Sequence, residues 1–100
     1  MFAASMKYTF YQDHFEQGVE IWKEEVLHSI RNQEGFVRVE LFTNPPEALV
    51  IAVWKEKEFA EKYMQTGVFK KLMKRLETVL ETAPEGKQWA LPVFQSADRK

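Results

Sequence analysis

The chain has 100 residues, 45% of them hydrophobic and 14% aromatic, with 14 basic against 15 acidic side chains and no cysteine. Those figures fit one small folded domain rather than a disordered chain, and the lack of cysteine removes disulfides, thiolate metal sites and thiol nucleophiles together. A near-neutral balance without a long basic block leaves no electrostatic footprint for nucleic acid or an anionic membrane, and without a run of ~18 apolar residues or a signal-peptide pattern the expected location is the cytoplasm.

Residues 2 to 11, FAASMKYTFY, alternate: Phe2, Ala4, Met6, Tyr8 and Phe10 share one side, and Ala3, Ser5, Lys7, Thr9 and Tyr11 the other, which is the period of a half-buried strand. DHFE, residues 13 to 16, has the form of a helix start, with Asp13 as N-cap and Glu16 placed to reach back. Phe15, Val19, Trp22, Val26 and Ile30 then form an apolar stripe on a helix running to about Gln33, with Gly35 as terminator. GFVRVELF, residues 35 to 42, alternates Phe36, Arg38, Glu40 and Phe42 against Val37, Val39 and Leu41, predicting a second strand. The two prolines of TNPPE exclude helix and central strand, so a hairpin-like turn leads to ALVIAVW, residues 48 to 54. That run is apolar at nearly every position, as in a strand covered on both faces.

From Lys57 the spacing is helical again, with Phe59 and Tyr63 four apart; a break near Thr66 and Gly67 precedes a longer helix carrying Val68, Phe69, Leu72, Met73, Leu76, Val79 and Leu80. APEG ends it. KQWALPVFQ, residues 87 to 95, supplies a last strand, which Pro92 confines to an edge or a bulge. The order β-α-β-β-α-β predicts an α+β, ferredoxin-like antiparallel sheet with both helices on one face, as a single domain over residues 1–95 with a tail at 96–100. The other face, with Leu49, Ile51 and Val53 beside Phe36 and Phe42, is then left to water unless a second copy covers it, so a homodimer is expected.

The element order, the GFVRVELF strand and the VWKEKEFAEKYM junction together resemble the antibiotic biosynthesis monooxygenase (ABM) family of dimeric α+β barrel proteins. The resemblance implies a dimer with two sheets packed face to face and a ligand pocket between each sheet and its own helices. It also implies a cofactor-free oxygenase acting on polycyclic phenols or a haem-degrading enzyme, and where the polar groups of those branches are missing the alternative is a non-catalytic ligand-binding or stress-associated dimer. Of the positions the quinone-forming branch uses, Trp54 matches, while the Asn, Tyr and Arg positions fall on Val50, on Phe59 or Ala60, and on Lys74 or Arg75. The haem-degrading positions fall on Met6, Tyr63 and Met73, without the branch's iron-binding His. The implied substrate-binding set is Trp54, Tyr63, Phe59, Met6 and Met73, holding a small apolar or aromatic molecule with no cofactor.

Each of these residues also has an ordinary reading. Trp54 at a strand end can fill the core, stack on a planar ligand, or both, and Tyr63 needs a hydroxyl partner wherever it is buried. Met64 and Met73 are adaptable packing residues. His14 and His28 lie off the apolar stripe and lack carboxylates at metal-binding spacing. Arg38 and Glu40 are expected inside the dimer barrel or at its mouth, paired or hydrated. No nucleophile elbow, phosphate loop, GxGxxG or HExxH motif is present, which excludes the common hydrolase, nucleotide-binding and zinc-protease signatures.

Overall fold

The period-2 pattern at the start of the chain forms strand β1 (Phe2–Thr9), and the helical stripe after it forms α1 (Phe15–Ile30) in a computed structural model that describes residues 1–97. β2 (Phe36–Asn44), β3 (Glu47–Trp54), α2 (Lys57–Met64), α3 (Gly67–Leu76) and β4 (Glu85–Ala90) complete the order. The sheet is antiparallel throughout, with strand order β2-β3-β1-β4. This is the expected ferredoxin-like α+β architecture, and β4 is an edge strand that stops before Pro92. Residues 98–100 of the expected tail lie outside the described residues.

Alternation decides which side chains meet the helices. Ala4 and Tyr8 from β1 and Ala48, Val50, Ala52 and Trp54 from β3 are buried on the helix side, against Trp22, Val26 and Ile30 of α1 and Leu72 and Leu76 of α3. Val39 and Leu41 of β2 join the same core.

Four local expectations are revised. Asp13 makes no side-chain cap: Gln12–His14 is a single 3-10 turn, closed by the His14 amide donating to the Tyr11 carbonyl at 2.9 Å, and α1 begins only at Phe15. That turn lets the chain swing off the sheet after Phe10, whose ring lies where a Cβ on Gly18 would stand, so the glycine inside α1 permits close helix–sheet contact. Phe36 does not share a face with Phe42. The ladder pairs Phe36 with Trp54 but Arg38 with Val53, so Val37 is an extra residue in a β-bulge and Phe36 turns to the helix side. Val37 therefore does not share the simple alternation of Val39 and Leu41. Finally, Val53 is not left to water, being only 1% exposed.

The register gives the reason. Trp89, Ala3, Val53 and Arg38 form one row across the four strands on the open face, and the Arg38 guanidinium lies 4.6 Å from the centre of the Phe94 ring. Chain leaving β4 must cross that row to bring Phe94 from one sheet edge to the other, and Ala3 and Val53 lie beneath its path. Further along the same face, Phe42 (50%) and Leu49 (37%) stay exposed.

Candidate functional site

A cavity of about 60 Å³ lies between the helix side of the sheet and the helices. Met6 and Tyr8 reach it from β1, Val50, Ala52 and Trp54 from β3, and Val39 from β2. Trp22, Val26 and Ile30 of α1, Ala60, Tyr63 and Met64 of α2, and Phe69 and Leu72 of α3 close it. Trp54 stands at the end of β3, where strand alternation points it inward beside the incoming α2, and its ring centre is 5.7 Å from both Phe36 and Tyr63. The bulge at Val37 is what brings Phe36 edge-on to Trp54. Phe69 continues the aromatic chain at 6.2 Å from Tyr63.

The α2–α3 break sets that last contact. Thr66 is the N-cap of α3: its hydroxyl donates to the Tyr63 carbonyl at 2.7 Å and accepts from the Phe69 amide at 3.4 Å. One side chain therefore ties the end of the first helix to the start of the second and turns both Tyr63 and Phe69 toward the sheet.

The residues with polar side chains in the cavity wall are Ser5, Tyr8, Tyr63 and the indoles Trp22 and Trp54, and Ser29 stands behind Tyr63 outside the wall. Ser29 of α1 donates within its own helix, to the Glu25 carbonyl at 3.0 Å or the Val26 carbonyl at 3.1 Å, and its oxygen is 2.9 Å from the Tyr63 hydroxyl. A serine hydroxyl has one proton. With that proton held by a helix carbonyl, Tyr63 is the donor to Ser29, and its own oxygen keeps acceptor capacity. Burial raises the Tyr63 phenol above the ordinary tyrosine value despite the hydrogen bond to Ser29, with Glu25 adding in the same direction. Tyr8 is shifted upward much further, by burial first and then by the neighbouring Tyr63. Both phenols are therefore neutral across the physiological range. Among the described residues no carboxylate, imidazole or amine lines the cavity, so its wall offers no ready base for taking a proton from a substrate.

Of the residues singled out from the sequence, Trp54, Tyr63 and Met6 line the cavity, and Phe59 and Met73 do not. Phe59 covers Gly35, whose φ of +78° and lack of a Cβ leave room for the ring. Met73 faces a shallow surface depression with Leu80 and Pro84. Tyr8, Trp22 and Met64 are lining residues that the sequence marked only as part of a strand, a helix stripe and general packing. Tyr8 carries the same period-2 signal as Met6, and nothing in the pattern distinguishes its hydroxyl from a core filler.

The family model for antibiotic biosynthesis monooxygenase matches residues 1–75. The chain belongs to this family. Solved structures agree on the fold of the ABM chain at low identity. An antibiotic biosynthesis monooxygenase-type protein of Deinococcus radiodurans superimposes with a TM-score of 0.85 at 9% identity, covering 99% of this chain and 100% of that one. One of Nitrosomonas europaea gives 0.84 at 14% identity, with 93% and 100% covered, and one of Bacteroides thetaiotaomicron gives 0.78 at 16%, with 99% and 95% covered. No curated protein matches the ABM sequence significantly. Of the positions that the resemblance assigns to the quinone-forming branch, Val50, Trp54 and Ala60 face the cavity, whereas Arg75 lies on the outside of α3, paired with Glu25 at 2.6 Å and Glu24 at 3.1 Å.

Proposed function

We propose that this ABM-family chain binds a small, uncharged, apolar or aromatic molecule in the cavity between its sheet and helices. The observation that carries the reading is the convergence of Trp22, Trp54, Tyr63 and Met6 on one almost wholly apolar space. Its size limits the ligand. An apolar cavity of roughly 150 Å³ holds one benzene ring, so a space of about 60 Å³ admits a single ring only after Met6 or Met64 swings aside. A polycyclic phenol requires a much larger opening, and haem is larger still; Met73, the one thioether suggested for haem iron, lies outside the cavity.

Once a ligand is bound, two fates differ in chemistry. In the family's cofactor-free oxygenation, an activated CH₂ of a bound phenolic ketone is oxidised by O₂ to C=O, with one oxygen atom entering the product and the other leaving as water. The apolar wall suits both reactants. The lack of a base in that wall favours the alternative, a ligand-binding member without turnover. The test pairs two measurements. Titration with single-ring aromatics, followed by indole fluorescence, is expected to saturate, and Trp54→Phe is expected to weaken binding by about tenfold or less through lost stacking area. Oxygen uptake with quinol and anthrone-like substrates then separates oxygenase from binder. A titration with no saturable change in fluorescence would sink the binding reading itself.

We also propose that a second copy covers the open sheet face, as the resemblance implies. Phe42 and Leu49, opposite one another on neighbouring strands of that face, are 50% and 37% exposed, and Trp89 at its far edge is 49% exposed.

A further inference from the structure

We propose that Tyr8 and Tyr63 act as a donor–acceptor pair that reads a hydroxyl group on the ligand of this cavity, so that the preferred ligand is a single-ring phenol or its alicyclic equivalent. The proposal rests on the small-molecule reading above and adds the polar group that the ligand must carry.

Tyr8 is 2% exposed and lines the cavity. Among the described residues no buried side-chain nitrogen or oxygen is cut off without a partner. Among those same residues the Tyr8 hydroxyl makes no side-chain hydrogen bond, so it keeps a little accessible surface, and the open space that Tyr8 lines is the cavity. A buried phenol normally finds a partner for its proton; here the space in front of it is where one would come from. Tyr63 is in the opposite state. Its proton is given to Ser29, because the Ser29 proton is engaged by a helix carbonyl at 3.0 or 3.1 Å, and its oxygen is left to accept.

One free donor and one free acceptor in an apolar wall match a hydroxyl, which accepts and donates at once. An ether or ketone uses only the donor from Tyr8. A hydrocarbon uses neither. A phenolate or carboxylate must give up its water to enter a space with no cation in its wall, a larger cost than two neutral hydrogen bonds offset. The ligand is therefore neutral when bound.

The experiment is a titration of the full chain with phenol, anisole and toluene, three single rings of similar size, followed by NMR, and repeated with Tyr8→Phe and Tyr63→Phe. The parent is expected to bind phenol most tightly, anisole next and toluene least, each step about three- to tenfold. Tyr8→Phe should bring anisole to the level of toluene and weaken phenol by a similar factor. Tyr63→Phe should bring phenol to the level of anisole. Toluene affinity should stay unchanged in both variants, because the rings that shape the cavity remain. If phenol and toluene bind equally to the parent, or if each variant weakens all three probes in proportion, the pairing is overturned while aromatic binding survives. Failure of all three probes to bind overturns both the pairing and the small-molecule reading beneath it.

Discussion

Tyr8 and Tyr63 carry hydroxyls into a space that contains almost no other polar atom, and this couples the stability of the protein to alkaline pH. The unfolded chain releases phenol protons near the usual value of about 10, while burial raises both phenols in the folded chain, Tyr8 much the further. Above that pH the unfolded state binds fewer protons than the folded state, so the slope of unfolding free energy with pH is negative. The stability present below about pH 10 should then fall steadily as pH rises toward the folded-state values. Urea midpoints between about pH 9 and 11 should show this decline, and Tyr8→Phe should flatten it. Spacing four residues after Phe59 on a charged helix made Tyr63 legible in the sequence as an inward residue. The hydroxyl of Tyr8 was not legible, because strand alternation reports which side a residue faces and says nothing about whether its polar atom is satisfied there.

At the scale of elements, the break between α2 and α3 was readable from Gly67, yet the structure assigns the work to Thr66. The threonine hydroxyl bonds both Tyr63 and Phe69, whereas a Cβ added to Gly67 meets nothing within 4 Å. Thr66→Ala should cost about 1 kcal/mol in denaturant unfolding, the usual worth of an N-cap. Gly67→Ala should be neutral or add a few tenths of a kcal/mol, since its φ is not positive and alanine narrows the unfolded ensemble. A result in the reverse order would assign the break to glycine freedom instead. DHFE is the converse case, a helix-start signature that matched in residue type but not in function. Asp13 falls in the 3-10 turn because the chain must first leave the sheet, where the Phe10 amide is bound to Pro46 and the Tyr11 amide to Val79. Tertiary anchoring of the two preceding residues outweighs a local capping preference.

For the molecule as a whole, the unequal faces of the sheet are its main asymmetry. The order of elements was enough to place both helix layers on one side, because right-handed crossovers leave few alternatives. The lining of the other side was misjudged at Val53, since residues after β4 cross over that end and no periodicity reveals a segment without secondary structure. The exposed remainder is centred on Phe42 and Leu49, with half-buried Ile51 adjoining them in the ladder. Ile51→Lys should convert a dimer to a monomer in sedimentation at micromolar concentration while leaving the circular dichroism spectrum unchanged. A wild-type monomer under the same conditions would remove the basis for a covered face. The single residue Val37 ties the two sides of the sheet to one another. It works as a frame-shift within the strand: set aside as an extra residue, it leaves Phe36 opposite Trp54, whereas a regular ladder through Phe36, Val37 and Arg38 would put Val37 there and turn Phe36 to the open face. Whether the strand bulges here, which its residue types alone do not announce, thus decides which side chain, a ring or a small aliphatic, stands edge-on to Trp54.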